Sequence, residues 1–209
     1  MKQLTKLALP AVAALALAAF LGAGSASATV LCAKYESPCL AANTYGAGTS
    51  VKFALEAGTS TTFKTTASEN LVTCEAISLS TKVKNAGGKE KRVEGELSSL
   101  ALAGCSSPTT VSALGQFTIE YAPQIPINTR AYLWASNLEI QFTVFGVACT
   151  YGGLESYVGT LTSTTPAKLH IKTLLAKTAG GFLCPADVTW EGAGQASAPE
   201  PLYFKEESK

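Results

Sequence analysis

Residues 138–144 read Leu-Glu-Ile-Gln-Phe-Thr-Val, with Leu138, Ile140, Phe142 and Val144 alternating against Glu139, Gln141 and Thr143. A period of two puts the apolar set on one face and the polar set on the other, as in a strand with one side buried. The same rule holds at Val51, Phe53 and Leu55, at Ile77, Leu79 and Val83, and at Phe117, Ile119 and Tyr121. Threonine is plentiful and only 15% of residues are charged, which suits pleated, partly buried surfaces. An all-β chain is expected.

Turn chemistry punctuates these runs. Asn85, Ala86, Gly87 and Gly88 are expected to join a strand ending near Lys84 to one beginning near Arg92, because asparagine and glycine tolerate positive φ. Further breaks fall at residues 106–109, 122–128, 152–153, 180–181 and 192–201. Thr165 and Pro166 could open a helix, but Leu169, Ile171 and Thr173 alternate with His170 and Lys172, so a strand is expected there. Many short strands with regular turns indicate a sandwich or a barrel. The expected architecture is an antiparallel β sandwich, immunoglobulin-like or jelly-roll-like, formed by residues 29–209 as one domain. A division into lobes near 29–122 and 123–209 is the alternative, since Cys74 and Cys105 bracket one hairpin region and Cys149 and Cys184 another.

Residues 1–28 read as a cleaved export signal. Lys2 and Lys6 precede an apolar run over residues 7–21, and Ala26, Ser27 and Ala28 supply a small-residue cleavage site. The run is too short for a comfortable membrane span, and no second one follows. Leu31 is too large to precede a lipidated cysteine at Cys32. The mature protein is therefore expected outside the cell, free or associated with the envelope. Export to an oxidising compartment turns Cys32, Cys39, Cys74, Cys105, Cys149 and Cys184 into disulfide candidates. The six cysteines allow about fifteen pairings; the sequential set is favoured because each bridge would join neighbouring segments.

Charge excludes some partners. The chain has 16 basic and 15 acidic residues, and its one basic cluster, Lys82, Lys84, Lys89, Lys91 and Arg92, is interleaved with Glu90, Glu94 and Glu96. Nucleic acid binding needs clustered, uncompensated cations and is not expected. The cluster reads as a solvated hairpin tip.

Reactive side chains are few. His170 is the only histidine and Asp187 the only aspartate, so a serine triad would require both. No Gly-x-Ser-x-Gly elbow is present. One histidine and six disulfide-destined cysteines make a poor zinc supply, and no Asp/Asn-rich calcium loop exists, so neither a metal nor another cofactor is expected. Glu120 and Glu139 could form a glycosidase pair if they faced each other across a groove. Among the aromatics, Trp190 is assigned to the core. Tyr132 and Trp134, which share one face of a strand, are the candidate ligand-binding residues.

Cys149-Thr150-Tyr151-Gly152-Gly153, Phe182-Leu183-Cys184-Pro185 and the closing Pro201-Leu202-Tyr203-Phe204 resemble recurring marks of a group of secreted, cysteine-containing, β-rich actinobacterial proteins. The resemblance implies an exported β architecture and no established activity. The expected function is a non-catalytic binding or structural role toward a cell-surface polymer or an extracellular protein. A secreted glycoside hydrolase or lyase is the first alternative, and a protease inhibitor using the 122–128 loop the second.

Overall fold

The computed structural model describes residues 29–36, 38–88, 91–121 and 130–206. The expected export signal and the 122–128 loop lie outside the described residues. The strands in chain order are β1 (Thr29–Cys32), β2 (Ser50–Leu55), β3 (Thr61–Lys64), β4 (Asn70–Cys74), β5 (Ala76–Gly88), β6 (Lys91–Ala103), β7 (Thr109–Ala113) and β8 (Gln116–Tyr121). They continue as β9 (Arg130–Ser136), β10 (Leu138–Val144), β11 (Val147–Gly153), β12 (Ser156–Thr162), β13 (Lys168–Ala179), β14 (Asp187–Ala198) and β15 (Tyr203–Glu206). Among the described residues the only helical element is a 3-10 turn at Ala41–Asn43. The protein is all-β, every strand pairing in it is antiparallel, and residues 168–179 are strand.

The expected sandwich is replaced by closure. Strands β14, β2, β5, β6, β8, β9, β12 and β13 pair in that order, and β13 pairs back onto β14, giving an eight-stranded antiparallel barrel. Alternation along each strand is the same for a sandwich and a barrel, because both bury one face. What separates them is the long pairing between β13 and β14, running from Lys168↔Gln195 to Ala176↔Asp187, which seals the sheet on itself. Closure satisfies backbone groups that an open sheet would leave at its edges.

Both ends of the barrel are covered. Strands β13 and β14 run past it: β14 picks up β3 and β4, while β13 picks up β11, β10 and β7. The two wings fold together where the rings of Phe63 and Phe142 lie 5.0 Å apart. The segment after β6 ties them: Ser106 N donates to Thr73 O at 2.8 Å and Ser107 Oγ to Thr143 O at 2.7 Å. At the opposite end the β1–β15 ribbon packs against β5, β6, β8 and β12. It brings Leu31 and Phe204 into the core, and Phe204 N donates to the buried Ser163 Oγ at 2.8 Å. Hydrogen-bonded neighbours thus cross the 122/123 boundary, as β14 does with β2 and β1 with β15.

The hairpin between β5 and β6 is longer than expected. Pairing continues to Gly88↔Lys91, so residues 85–88 belong to the strand. The cause is β1, which pairs Val30 with Gly87 and Thr29 with Gly88. Gly87 has φ +79°, and a Cβ there would stand 1.8 Å from the Thr29 carbonyl oxygen, so only glycine admits this approach. Two of this hairpin's cations are paired at the surface, Lys84 with Glu96 and Arg92 with Glu120 at 3.1 Å. The disulfides follow the sequential set: Cys32–Cys39, Cys74–Cys105 and Cys149–Cys184.

Candidate functional site

The barrel interior is a packed core. Leu79, Leu97, Phe117, Leu133, Ile171 and Trp190 surround a void of about 20 Å³, room for about one water and no organic ligand. Recognition is therefore confined to outward-facing side chains.

Strand β9 supplies two of them. Ala131, Leu133 and Ala135 point inward and are buried, which turns Tyr132 and Trp134 to the outside. Both are half-buried because a third ring fills the space between them. Tyr157, opposite Trp134 in the β9–β12 register, meets Tyr132 at 5.7 Å and Trp134 at 5.6 Å, each edge to face. A register shift between Tyr157 and Gly159 sets this placement. Gly159 is obligatory there, since a Cβ would come within 2.0 Å of the His170 carbonyl oxygen. Burial, with a smaller contribution from Tyr132, pushes the Tyr157 phenol above its ordinary range. The Tyr157 phenol therefore stays protonated and able to donate at neutral pH.

The rim is polar. Glu120 on β8 stands opposite Tyr132 and is held by Arg92, and Thr118 stands opposite Trp134. The Trp134 Nε1 is shielded from solvent and has no hydrogen-bond partner, so this ring offers its surface and not its N–H. The cluster presents apolar ring area beside phenolic hydroxyls and one ion pair. That combination fits a polyhydroxylated surface, with rings against C–H faces and hydroxyls against hydroxyls.

The other sequence candidates are dispersed. Trp190 lies in the core, 2% exposed and stacked on Phe63 at 5.7 Å. Glu120 and Glu139 do not share a groove: four strands stand between β8 and β10 in the sheet order, and Glu139 sits between Ala113 and Gly152 on its neighbours. His170 pairs with Ala193, whereas Asp187 pairs with Ala176, six residues further along β13, or about 20 Å. Among the described residues, no three His, Cys, Asp or Glu side chains gather as metal ligands, and no helix is long and apolar enough to cross a membrane. Tyr157 is the residue that sequence reading passes over. Its outward position could be inferred from alternation, but its partner depends on the register shift.

No family model matches the chain, and neither a curated protein nor a solved structure does.

Proposed function

We propose that this chain is a secreted, non-catalytic binding protein whose outer barrel wall holds a cell-surface polymer of polyhydroxylated character. The observation that carries the reading is the contiguous Tyr132, Tyr157 and Trp134 cluster, half-exposed on a rigid closed barrel and edged by the Arg92–Glu120 pair. Sites built on strands of a closed scaffold keep their geometry on binding, so little ordering entropy opposes association. Secretion is supported by the leader-like residues 1–28, by three disulfides, and by Thr29. That residue directly follows the expected cleavage point and is already buried in β1, its Oγ1 accepting from Tyr121 N at 2.8 Å.

The test uses mature protein beginning at Thr29 with its disulfides formed. Pull-down on insoluble cell-wall and polysaccharide fractions is expected to retain the wild type. The variants Trp134→Ala and Tyr157→Ala should lose about tenfold or more in affinity, the usual cost of truncating an aromatic anchor. Turnover of any fraction, or retention unchanged in both variants, would overturn the reading.

A further inference from the structure

The row that holds Tyr132 continues around the barrel. Tyr132 pairs with Thr160, Thr160 with His170, and His170 with Ala193, three strand spacings or about 14 Å in all. At Ala193 the wall sinks into a depression of about 460 Å³. The dent exists because Ala193, the residue that β14 turns outward between Glu191 and Gln195, carries only a methyl group. Gly192 is fixed by the core: a Cβ on it would stand 2.7 Å from Thr61 Oγ1.

The charge around the dent does not balance. Lys64 is neutralised by Glu191 at 2.6 Å. Lys172, opposite Glu191 in the β13–β14 register, and His170 two residues before it also line the dent, and neither makes an ion pair or a hydrogen bond among the described residues. Both still act on the same spot. The Glu191 carboxyl is held below its ordinary range mainly by its hydrogen bond from Lys64, with Lys172 and His170 adding to the effect. The hydroxyls of Ser60 and Thr62 complete the opposite wall without internal hydrogen bonds. A net-positive dent with spare hydroxyls, in a chain otherwise near neutrality, suits an anionic oxygen group.

We propose that this depression receives the anionic group of the polymer, a carboxylate or a phosphate diester, while a neighbouring unit of the same chain lies along the row toward Tyr132. The proposal rests on the polymer-binding reading for its second contact and adds to it the charge of the ligand. One exposed ammonium, Lys172, beside an imidazole and two hydroxyls holds a small anion weakly, so affinity comes from joining both contacts on one strand of polymer.

The experiment is calorimetric titration of mature wild-type protein at about 20 mM salt, where exposed charges are weakly screened. The probes are polygalacturonate, poly(glycerol phosphate) and neutral dextran, and the variants are Lys172→Glu, His170→Gln and Trp134→Ala. Lys172→Glu and His170→Gln alter exposed side chains, and unchanged thermal unfolding verifies their folds. Polyanion binding is expected to exceed dextran binding, to weaken with added salt, and to drop about tenfold in Lys172→Glu. Comparing the two polyanions tells carboxylate from phosphate. Polyanion binding unchanged in Lys172→Glu, or dextran bound as tightly as either polyanion, overturns the proposal. If Trp134→Ala loses binding and Lys172→Glu does not, the aromatic reading stands and the depression fails. The reverse result keeps the depression as an anion site and sinks the aromatic reading. A wild type that binds none of the three overturns both.

Discussion

The indole Nε1 of Trp190 donates to Thr61 Oγ1 at 2.7 Å, and that hydroxyl donates in turn to the Glu191 carbonyl at 2.9 Å. One buried threonine thus satisfies the largest polar donor of the core and binds β3 to β14, where the barrel passes into its wings. Thr61→Val keeps the shape and removes the acceptor, leaving a buried N–H without a partner. The expected loss is about 1–3 kcal/mol in urea unfolding, with Thr61→Ser much closer to wild type.

Gly87 gives a second test. Its positive φ, and the Thr29 oxygen that would stand 1.8 Å from any Cβ placed there, leave no room for a side chain. Gly87→Ala is expected to cost more than about 2 kcal/mol and to release β1 from β5. Hydrogen exchange at Val30 and Leu31 should accelerate well beyond the rest of the barrel.

Tyr151 is fully buried against Phe142, at 4.9 Å, and its hydroxyl has no hydrogen-bond partner. Tyr151→Phe removes an unsatisfied group without changing the packing, so stability should hold or rise by about 1 kcal/mol. Burial pushes the phenol up to about 12 from 10.0. Below the lower value both folded and unfolded chains keep the proton. Between the two the unfolded chain loses it first, so wild-type stability falls as pH rises, by roughly 2 kcal/mol. Thermal unfolding across that window should show a steeper decline for wild type than for Tyr151→Phe.

The disulfides are ranked by the loops they close. Cys149–Cys184 spans a separation of 35 residues and Cys32–Cys39 one of 7. Loop entropy assigns about 4 kcal/mol to the first and about 2 kcal/mol to the second. Paired serine replacements should reproduce that order in denaturant midpoints. An equal or reversed order would mean that native packing, and not chain entropy, sets their worth.

The strands at Leu138–Val144, Ser50–Leu55 and Gln116–Tyr121 were legible because alternation is a local property that survives in whatever sheet the strand joins. The hairpin runs several residues past the expected turn because Asn85–Gly88 carries turn chemistry for another purpose, the close approach of β1 from elsewhere in the chain. Of the candidate site, Tyr132 and Trp134 could be found from their shared face. Tyr157 could not, because its place beside them depends on a shift in β9–β12 pairing.

By itself the sequence determined which residues turn inward and that the fold would be almost all β. Both follow from period-two geometry. Only the tertiary structure decided that the sheet closes on itself, that three aromatic rings converge on its outer wall, and that a charged dent lies three strands away. Those depend on register and on pairing between distant segments such as β2 with β14 and β1 with β15. Alternation is blind to register: sliding a strand by two residues preserves its buried face and changes every neighbour.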